Sequence, residues 1–385
     1  METFLGYARP DGSVGIRNHV AVIPSVACAN GVVAAIARVL PDVVPLYHGH
    51  GCGRAVEIPL HTRVLVNLGR HPNCAAVLVV GLGCEVLKAE GIARSIAETG
   101  KPVDYFNIQE CGGSRRSATK GIEIAAEMLR AAGRCERRPF PLSRLILGLE
   151  CGGSDAFSGI TANPAVGLAS DWLVDRGGTV LLTEDTEMIG TSPILERRAK
   201  TPAVAGEIKT MIADAERLTH DLLGPLAPFV IAPGNMDGGM SSIREKSLGC
   251  IVKAGSRTIT QVTDYGEVPA EKGVVLMRGP GYDTESIAGV AAAGAQFVLF
   301  TTGRGNPIGF PTVPVLKVAS TAKLYRAMED DMDINAGAVL EGKRLAAVGD
   351  EIVALIREVA DGRKTKAEIN RQDGIVCLYT RHPAF

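Results

Sequence analysis

Nearly continuous apolar runs of strand length recur along this chain: HVAVIPSV at 19–26, AVLVVGL at 76–82 and PVDYFNI at 102–108, then RLILGL at 144–149, TVLLT at 179–183, APFVIA at 227–232, GVVLM at 273–277 and QFVLFT at 296–301. Between them lie stretches of a different kind. Residues 29–40 (ANGVVAAIARVL) space their apolar positions as a helix does, and 114–132 is rich in Ala, Glu, Lys and Arg. Strands alternating with helices predict an α/β protein with mostly parallel sheets flanked by helices.

A length of 385 residues suits two or three domains. Residues 133–142 (GRCERRPFPL) combine charge with two prolines, which predicts a boundary there and two α/β domains, 1–138 and 139–385. Asn163-Pro164 reads as a helix start and Gly177 as its stop; Thr201-Pro202 and Gly224 repeat the device around a longer helix. Residues 362–371 form a polar segment before a last apolar run, IVCLY.

Several function classes are disfavoured. Net charge is -1 with no basic stripe, so the electrostatic footprint of a nucleic-acid binder is missing. No apolar run approaches the roughly 18 residues of a membrane span. METFLGYARPDG has no basic region followed by an apolar one, as a secretory signal would. A cytoplasmic protein is expected. Nine cysteines, an odd number, argue against a disulfide framework. The 45 glycines gather in short clusters, as tight turns near ligands do.

Three cysteines share one setting: Cys52 in HGHGCG, Cys84 in GLGCE and Cys151 in GLECGG. Ligands of open α/β sheets gather outside the carboxyl ends of strands. Thiolates with imidazole suit iron or zinc, and a cysteine trio suits an iron–sulfur cluster; a small buried residue in an ordinary turn is the alternative. His48 and His50, two apart, face one side if extended, as a ligand and a general base would. In FTTGRGNPIG (300–309), backbone amides around Thr302, Gly303 and Gly305 are placed to cup an anion and Arg304 to clamp a carboxylate. DDMDINAG (330–337) sets Asp331, Asp333 and Asn335 at alternate positions. It is not an EF-hand, because its sixth residue is Ala336 and its twelfth Gly342. Residues 234–250 gather Asn235, Asp237, Lys246 and Cys250; a desolvated Lys246 is a candidate base. Ser154 and Asp155 lie in the polar turn after Cys151, and EDTE (184–187) puts Glu184 and Glu187 at another strand mouth.

Ten of these segments, in order along almost the whole chain, resemble the altronate/galactarate dehydratase family, which includes the large subunit of sulfolactate sulfo-lyase: RPDGSVGIRNH (9–19), the HxxGCG pattern (48–53), HPN (71–73), GLGCE (81–85), ECGGSDAFSGITANPA (150–165), GN-x2-GG (234–239), EKSLGC (245–250), PGYDTES (280–286), FTTGRGNPIG and DDMDINAG. The resemblance implies a two-part body and lyase chemistry on a small hydroxy acid, dependent on iron or another divalent metal. The expected reaction is loss of water from a sugar acid to give a 2-keto-3-deoxy acid. The alternatives are sulfite release from sulfolactate and a non-catalytic sugar-acid-binding protein. Expected roles are metal ligation by His48, Cys52, Cys84 and Cys151, with Fe(2+) first and an iron–sulfur cluster, Mn(2+) or Mg(2+) behind it; catalysis by His50, Lys246 and Arg304; and substrate binding by Ser154, Asp155, Asn235, Thr302, Gly303, Gly305, Asp331, Asp333 and Asn335. Some relatives carry a small extra domain that this sequence lacks, so a partner subunit of roughly 100 residues is expected, as is a homo-oligomer. The chain departs from many relatives at Arg278 and Cys111, which bears on the substrate and not on the fold.

Overall fold

A computed structural model describes residues 2–382, apart from the side chains of residues 228 and 229. Among the described residues the strands are β1 (Thr3–Ala8), β2 (Val14–Gly15), β3 (His19–Pro24), β4 (Val43–Pro45), β5 (Cys74–Gly81), β6 (Val103–Asn107), β7 (Arg138–Pro141), β8 (Ile146–Cys151), β9 (Thr179–Leu182), β10 (Ile259–Thr263), β11 (Gly273–Met277), β12 (Phe297–Thr302), β13 (Val315–Ala319) and β14 (Ile334–Asn335). They make a four-stranded parallel sheet in the order β4-β3-β5-β6 and a seven-stranded parallel sheet in the order β10-β11-β9-β8-β12-β13-β14. The expected α/β class is what forms. A small antiparallel ribbon, β2-β1-β7, joins the first segment to the stretch around residue 140.

Strand burial explains the apolar runs. Every residue of β9, β11, β12 and β13 is buried, because helices cover both faces. The helix expected over 114–132 spans Ser114–Ala132. Thr201 caps Pro202–Leu223 by accepting from the Val204 amide at 3.2 Å, and Gly224 ends it with φ +53°. Two local expectations fail. APFVIA is no strand: 3₁₀ turns over Gly224–Phe229 lead into a short helix, Pro233–Asp237. A six-residue apolar run does not identify a strand by itself, and prolines at 225, 228 and 233 remove the ladder donors a strand would need. Asn163 lies inside the helix Ala162–Asp175 instead of capping it, and its amide donates to the Gly249 carbonyl at 2.9 Å.

The two large sheets face the same way. His71 Nε2 bonds the Ala295 carbonyl at 2.9 Å, and Asn73 Nδ2 donates to the carbonyls of Gln296 and Thr312 at 3.0 and 2.9 Å. These residues stand at the amino ends of β5, β12 and β13, so the carboxyl ends of both sheets open on one side. Helices Ile58–Arg70 and Asp283–Ala292 pack together in the shared core between the sheets. The last apolar run threads the same seam. Val376 and Leu378 are buried there, the Val376 amide donates to the Tyr47 carbonyl at 2.9 Å, and Glu57 accepts from the Arg381 and His382 amides at 2.6 and 2.7 Å.

Candidate active site at the carboxyl end of the large sheet

From β8 the chain moves to β9 on one side, while β12 pairs with β8 on the other. A crevice outside the carboxyl ends of such a strand pair is where open α/β sheets place ligands. β8 delivers Glu150 and Cys151 to it. After β9 the backbone bends sharply at Glu184, a non-glycine residue at φ +71°, and the 3₁₀ turn Asp185–Met188 brings Glu187 inward. Such a conformation costs on the order of 1 kcal/mol or more and persists where surrounding contacts enforce it. Helix Ile243–Cys250, capped by Ser242, presents Lys246 and Cys250 four residues apart on one face; Lys253 follows in the turn Ile251–Ala254.

These side chains converge in a buried cluster. Glu187 Oε2 lies 3.0 Å from the Cys151 sulfur and 2.8 Å from the Cys250 sulfur, and the sulfurs are 3.4 Å apart. The Lys246 ammonium contacts the other Glu187 oxygen. Glu184 Oε2 accepts from the Cys151 amide at 3.2 Å and from Lys253 Nζ at 3.1 Å. The mutual thiol contact, with burial, raises Cys151 well above the usual thiol range. Burial works against the charges of Glu187, Lys246 and Lys253, yet ion pairing wins: Glu187 is held below its ordinary value, and both lysines are held above theirs.

A second group of carboxylates, Glu150, Glu184 and Asp283, adjoins the first. Burial and the neighbouring Glu184 charge raise Glu150 well above its ordinary value, and Ser286 donates to it. Burial lifts Glu184 to about 7. Asp283, raised by burial, is half-buried at the mouth and accepts from Asn306 Nδ2 at 2.7 Å. Gly152 permits this approach, since a Cβ there would overlap the Asp283 carboxylate and lie 2.6 Å from Phe300 Cζ.

The structure redistributes the residues that the sequence singled out. Cys151 meets Cys250 and Glu187, while Cys52 and Cys84 are exposed beyond the carboxyl edge of the four-stranded sheet and join no group of converging ligand atoms among the described residues. His48 has both ring nitrogens engaged: Nε2 with the Pro24 carbonyl at 2.7 Å, Nδ1 with the His50 amide at 3.1 Å. That leaves no lone pair for a metal, which corrects the expected fourth ligand. His50 lies beside the same edge, its ring 4.5 Å from that of His61, and burial lowers it to about 4. Lys246 is ion-paired with Glu187, a setting that favours its ammonium form over the amine a base needs.

The expected anion cup does not form either. The Gly303 and Arg304 amides both donate to the Gly153 carbonyl, at 3.0 and 2.7 Å, and the Gly305 amide donates to Thr302 Oγ1 at 3.0 Å. The Arg304 side chain is exposed and makes no ion pair among the described residues. Asp155 braces loops, accepting from Ser158 N and Oγ at 2.8 Å each and from Ser320 Oγ at 3.0 Å. Asp333 accepts from the Lys317 and Lys366 amides at 2.8 and 3.1 Å, and Asp331 from Asn370 Nδ2 at 3.2 Å. Asn235 bridges the Ser154 carbonyl and the Ala232 amide. Ser154 Oγ and Asn335 Oδ1 are buried without partners among the described residues. Cys250, Glu184 and Glu187 were visible as motif members but not as a set. Lys317 carries its own signal in the sequence, a lone lysine inside the apolar run VPVLKVA.

Comparison with known proteins places most of this chain. Residues 142–382 match the family described as D-galactarate/Altronate dehydratase, C-terminal, and residues 6–133 match D-galactarate dehydratase/Altronate hydrolase, second domain. An altronate dehydratase of Bacillus subtilis is 38% identical over 383 residues, covering 96% of this chain and 76% of that protein. A galactarate dehydratase (L-threo-forming) of Escherichia coli is 35% identical, covering 94% and 73%. The (2R)-sulfolactate sulfo-lyase subunit beta of Chromohalobacter salexigens is 33% identical, covering 95% and 94%. No helix among the described residues is long and apolar enough to cross a membrane.

Proposed function

The chain belongs to the D-galactarate/altronate dehydratase family, and we propose from this that it is a hydro-lyase that removes water from an altronate- or galactarate-type acid to give a 2-keto-3-deoxy acid. The observation that carries the reading is the buried set Cys151, Glu187, Cys250 and Lys253, with half-buried Lys246 paired to it, at the carboxyl end of β8, in a chain 38% identical to an altronate dehydratase.

Two thiols and one carboxylate, all buried and within reach of a common point, fit a borderline-soft divalent ion such as Fe(2+) better than Mg(2+) or Mn(2+). Two thiols, where a cluster wants three or more, favour a single ion over an iron–sulfur cluster. Bound there, the ion would supply Lewis acidity to a substrate oxygen. The chain's own part follows from its charges. The Lys246 and Lys253 ammonium groups favour negative charge developing on the substrate's carboxylate end, in a site where water is excluded. Arg304, at the exposed mouth, draws the acid in. Ser154 and Asn335 retain polar atoms for substrate hydroxyls. The substrate enters where the chain is half-exposed, at Asp283, Gly303 and Asn306.

A second reading is sulfite release from sulfolactate, supported by 33% identity to the sulfo-lyase subunit over 95% of this chain. That relative's name, a subunit beta, supports a small partner subunit here. The test is to incubate the iron-loaded protein, alone, with altronate, galactarate and sulfolactate. A 2-keto-3-deoxy acid formed without sulfite supports dehydration; sulfite formation supports the second reading; neither product from any acid sinks both.

A further inference from the structure

Register places three side chains in one row across the large sheet: Glu150 of β8 pairs with Phe300 of β12, and Phe300 pairs with Lys317 of β13. Directly paired residues point to the same face of a sheet. Here it is the face covered by helix Asp283–Ala292, which shares a core with Phe300. Lys317 is fully buried, and its Nζ stands 3.4 Å from the centroid of the Phe300 ring, on the side of Glu150 and Asp283. That nitrogen has no hydrogen-bond partner among the described residues. The other two lysines of the site, half-buried Lys246 and buried Lys253, are both ion-paired.

Building on the dehydratase reading, we propose that Lys317 is the catalytic base, its unpartnered Nζ taking the proton from C2 of the substrate acid. An unpaired buried ammonium costs several kcal/mol, whereas a neutral amine in the same place costs far less. Burial brings Lys317 down to about 7, against the attraction of Asp283, Glu150, Asp333 and Asp331, the acidic groups around it. Groups of one type whose environments drive their proton affinities apart mark the division between base and electrostatic stabiliser. The step balances. The amine lone pair accepts the C2 proton, the C2–H pair becomes the C2–C3 π bond, and the C3–O pair leaves with hydroxide. Ammonium and hydroxide then sum to neutral lysine and water, and the enol tautomerises to the 2-keto acid.

The test uses the iron-loaded full chain with the acid it turns over. For the wild type, kcat/KM should rise with pH through about 7, and deuterium at C2 should slow the reaction. Lys317→Met should lower kcat about 10²–10⁴-fold with KM changed by less than about threefold, and Lys317→Arg should not restore the rate. Melting curves check that both variants fold. A Lys317→Met enzyme that keeps its rate, or loses KM and not kcat, overturns the assignment, the latter outcome making Lys317 a substrate anchor. If Lys317→Met does not fold, the wild-type acid limb and isotope effect decide, and absence of both overturns the proposal. A wild type inactive on every acid overturns the dehydratase reading and this assignment with it; a turning-over wild type with an unaffected variant overturns this assignment alone.

Discussion

The sulfurs of Cys151 and Cys250, 99 residues apart in the chain, stand 3.4 Å from each other, and one oxygen of Glu187 lies within 3.0 Å of both. Packing alone does not account for the set, since a carboxylate buried against two thiols loses hydration that weak S–H donors do not replace. If it holds the metal, Cys250→Ser and Cys151→Ser should each lose most bound iron and at least about 100-fold in activity, within the range that catalytic metal chemistry contributes. Cys84→Ser and Cys52→Ser, outside this set, should keep their iron. Metal content per chain after anaerobic loading reads the difference, and iron lost from Cys84→Ser with Cys250→Ser unaffected would return the site to the glycine-flanked trio.

Gly152 tests how tightly the second carboxylate group is packed. A methyl group there would overlap the Asp283 carboxylate and crowd Phe300, whose ring is the platform under Lys317. Overpacking of this kind costs about 1–3 kcal/mol. Gly152→Ala should therefore fold with reduced stability and lose activity more than 10-fold, because Asp283 must move away from Asn306. Denaturant midpoints and initial rates on the same preparation check it; unchanged rates would place Asp283 outside the reaction.

What the sequence disclosed, and what it hid, divides along one line. β11, at Gly273–Met277, and the helix Ser114–Ala132 were legible because burial and helix periodicity are local signals. The two-residue strand β14 and the ribbon around β1 depend on pairing with distant segments and left no local pattern. The site follows the same rule. Cys151 could be placed at a strand mouth, but nothing near it in sequence says that its neighbours are Glu187 and Cys250 and not Cys52 and Cys84. Those pairs are set by the strand order, in which β9 flanks β8 within one sheet while the loops bearing Cys52 and Cys84 crown another. The aspartate at 333 read as a binding residue because a side chain committed to two backbone amides looks, in sequence, like a free one.

Asn73, in the HPN segment, is the most fully used polar side chain at the seam between the sheets. Its Oδ1 accepts from the Ile16 and Arg17 amides at 2.9 and 3.3 Å, while Nδ2 donates to Gln296 and Thr312. Asn73→Leu would strand these buried groups at about 1–3 kcal/mol for each one left unsatisfied. A loss of about 3 kcal/mol or more is expected, with the spectroscopic and activity midpoints in urea separating as the two sheets come apart before global unfolding. A loss under about 1 kcal/mol would mean that water replaces the side chain.

Arg17 and Glu368 give the sharpest pH test of stability. The pair spans 351 residues, with Arg17 Nε on Glu368 Oε1 at 2.8 Å and Nη2 on Oε2 at 2.9 Å. Burial alone would raise the Glu368 carboxyl; the Arg17 hydrogen bonds and charge outweigh it and hold the group below its ordinary 4.5. A depressed carboxyl means that the unfolded chain binds the proton more readily. The pair's contribution is therefore complete above pH 4.5 and is lost as pH falls through the lower folded-state value. Arg17→Met reverses the sign. It leaves Glu368 largely buried with only the Thr365 contacts, at 2.8 and 3.2 Å, and its carboxyl should then titrate above its ordinary value. Breaking a buried pair from one side costs about 3–5 kcal/mol, so the gap between wild type and variant should approach that size at pH 7 and shrink steadily as pH falls from 5 toward 3. Guanidinium melts of both proteins across this range measure it, and a gap independent of pH would show that Arg17 acts through its bonds to the Val359 and Arg363 carbonyls and not through Glu368.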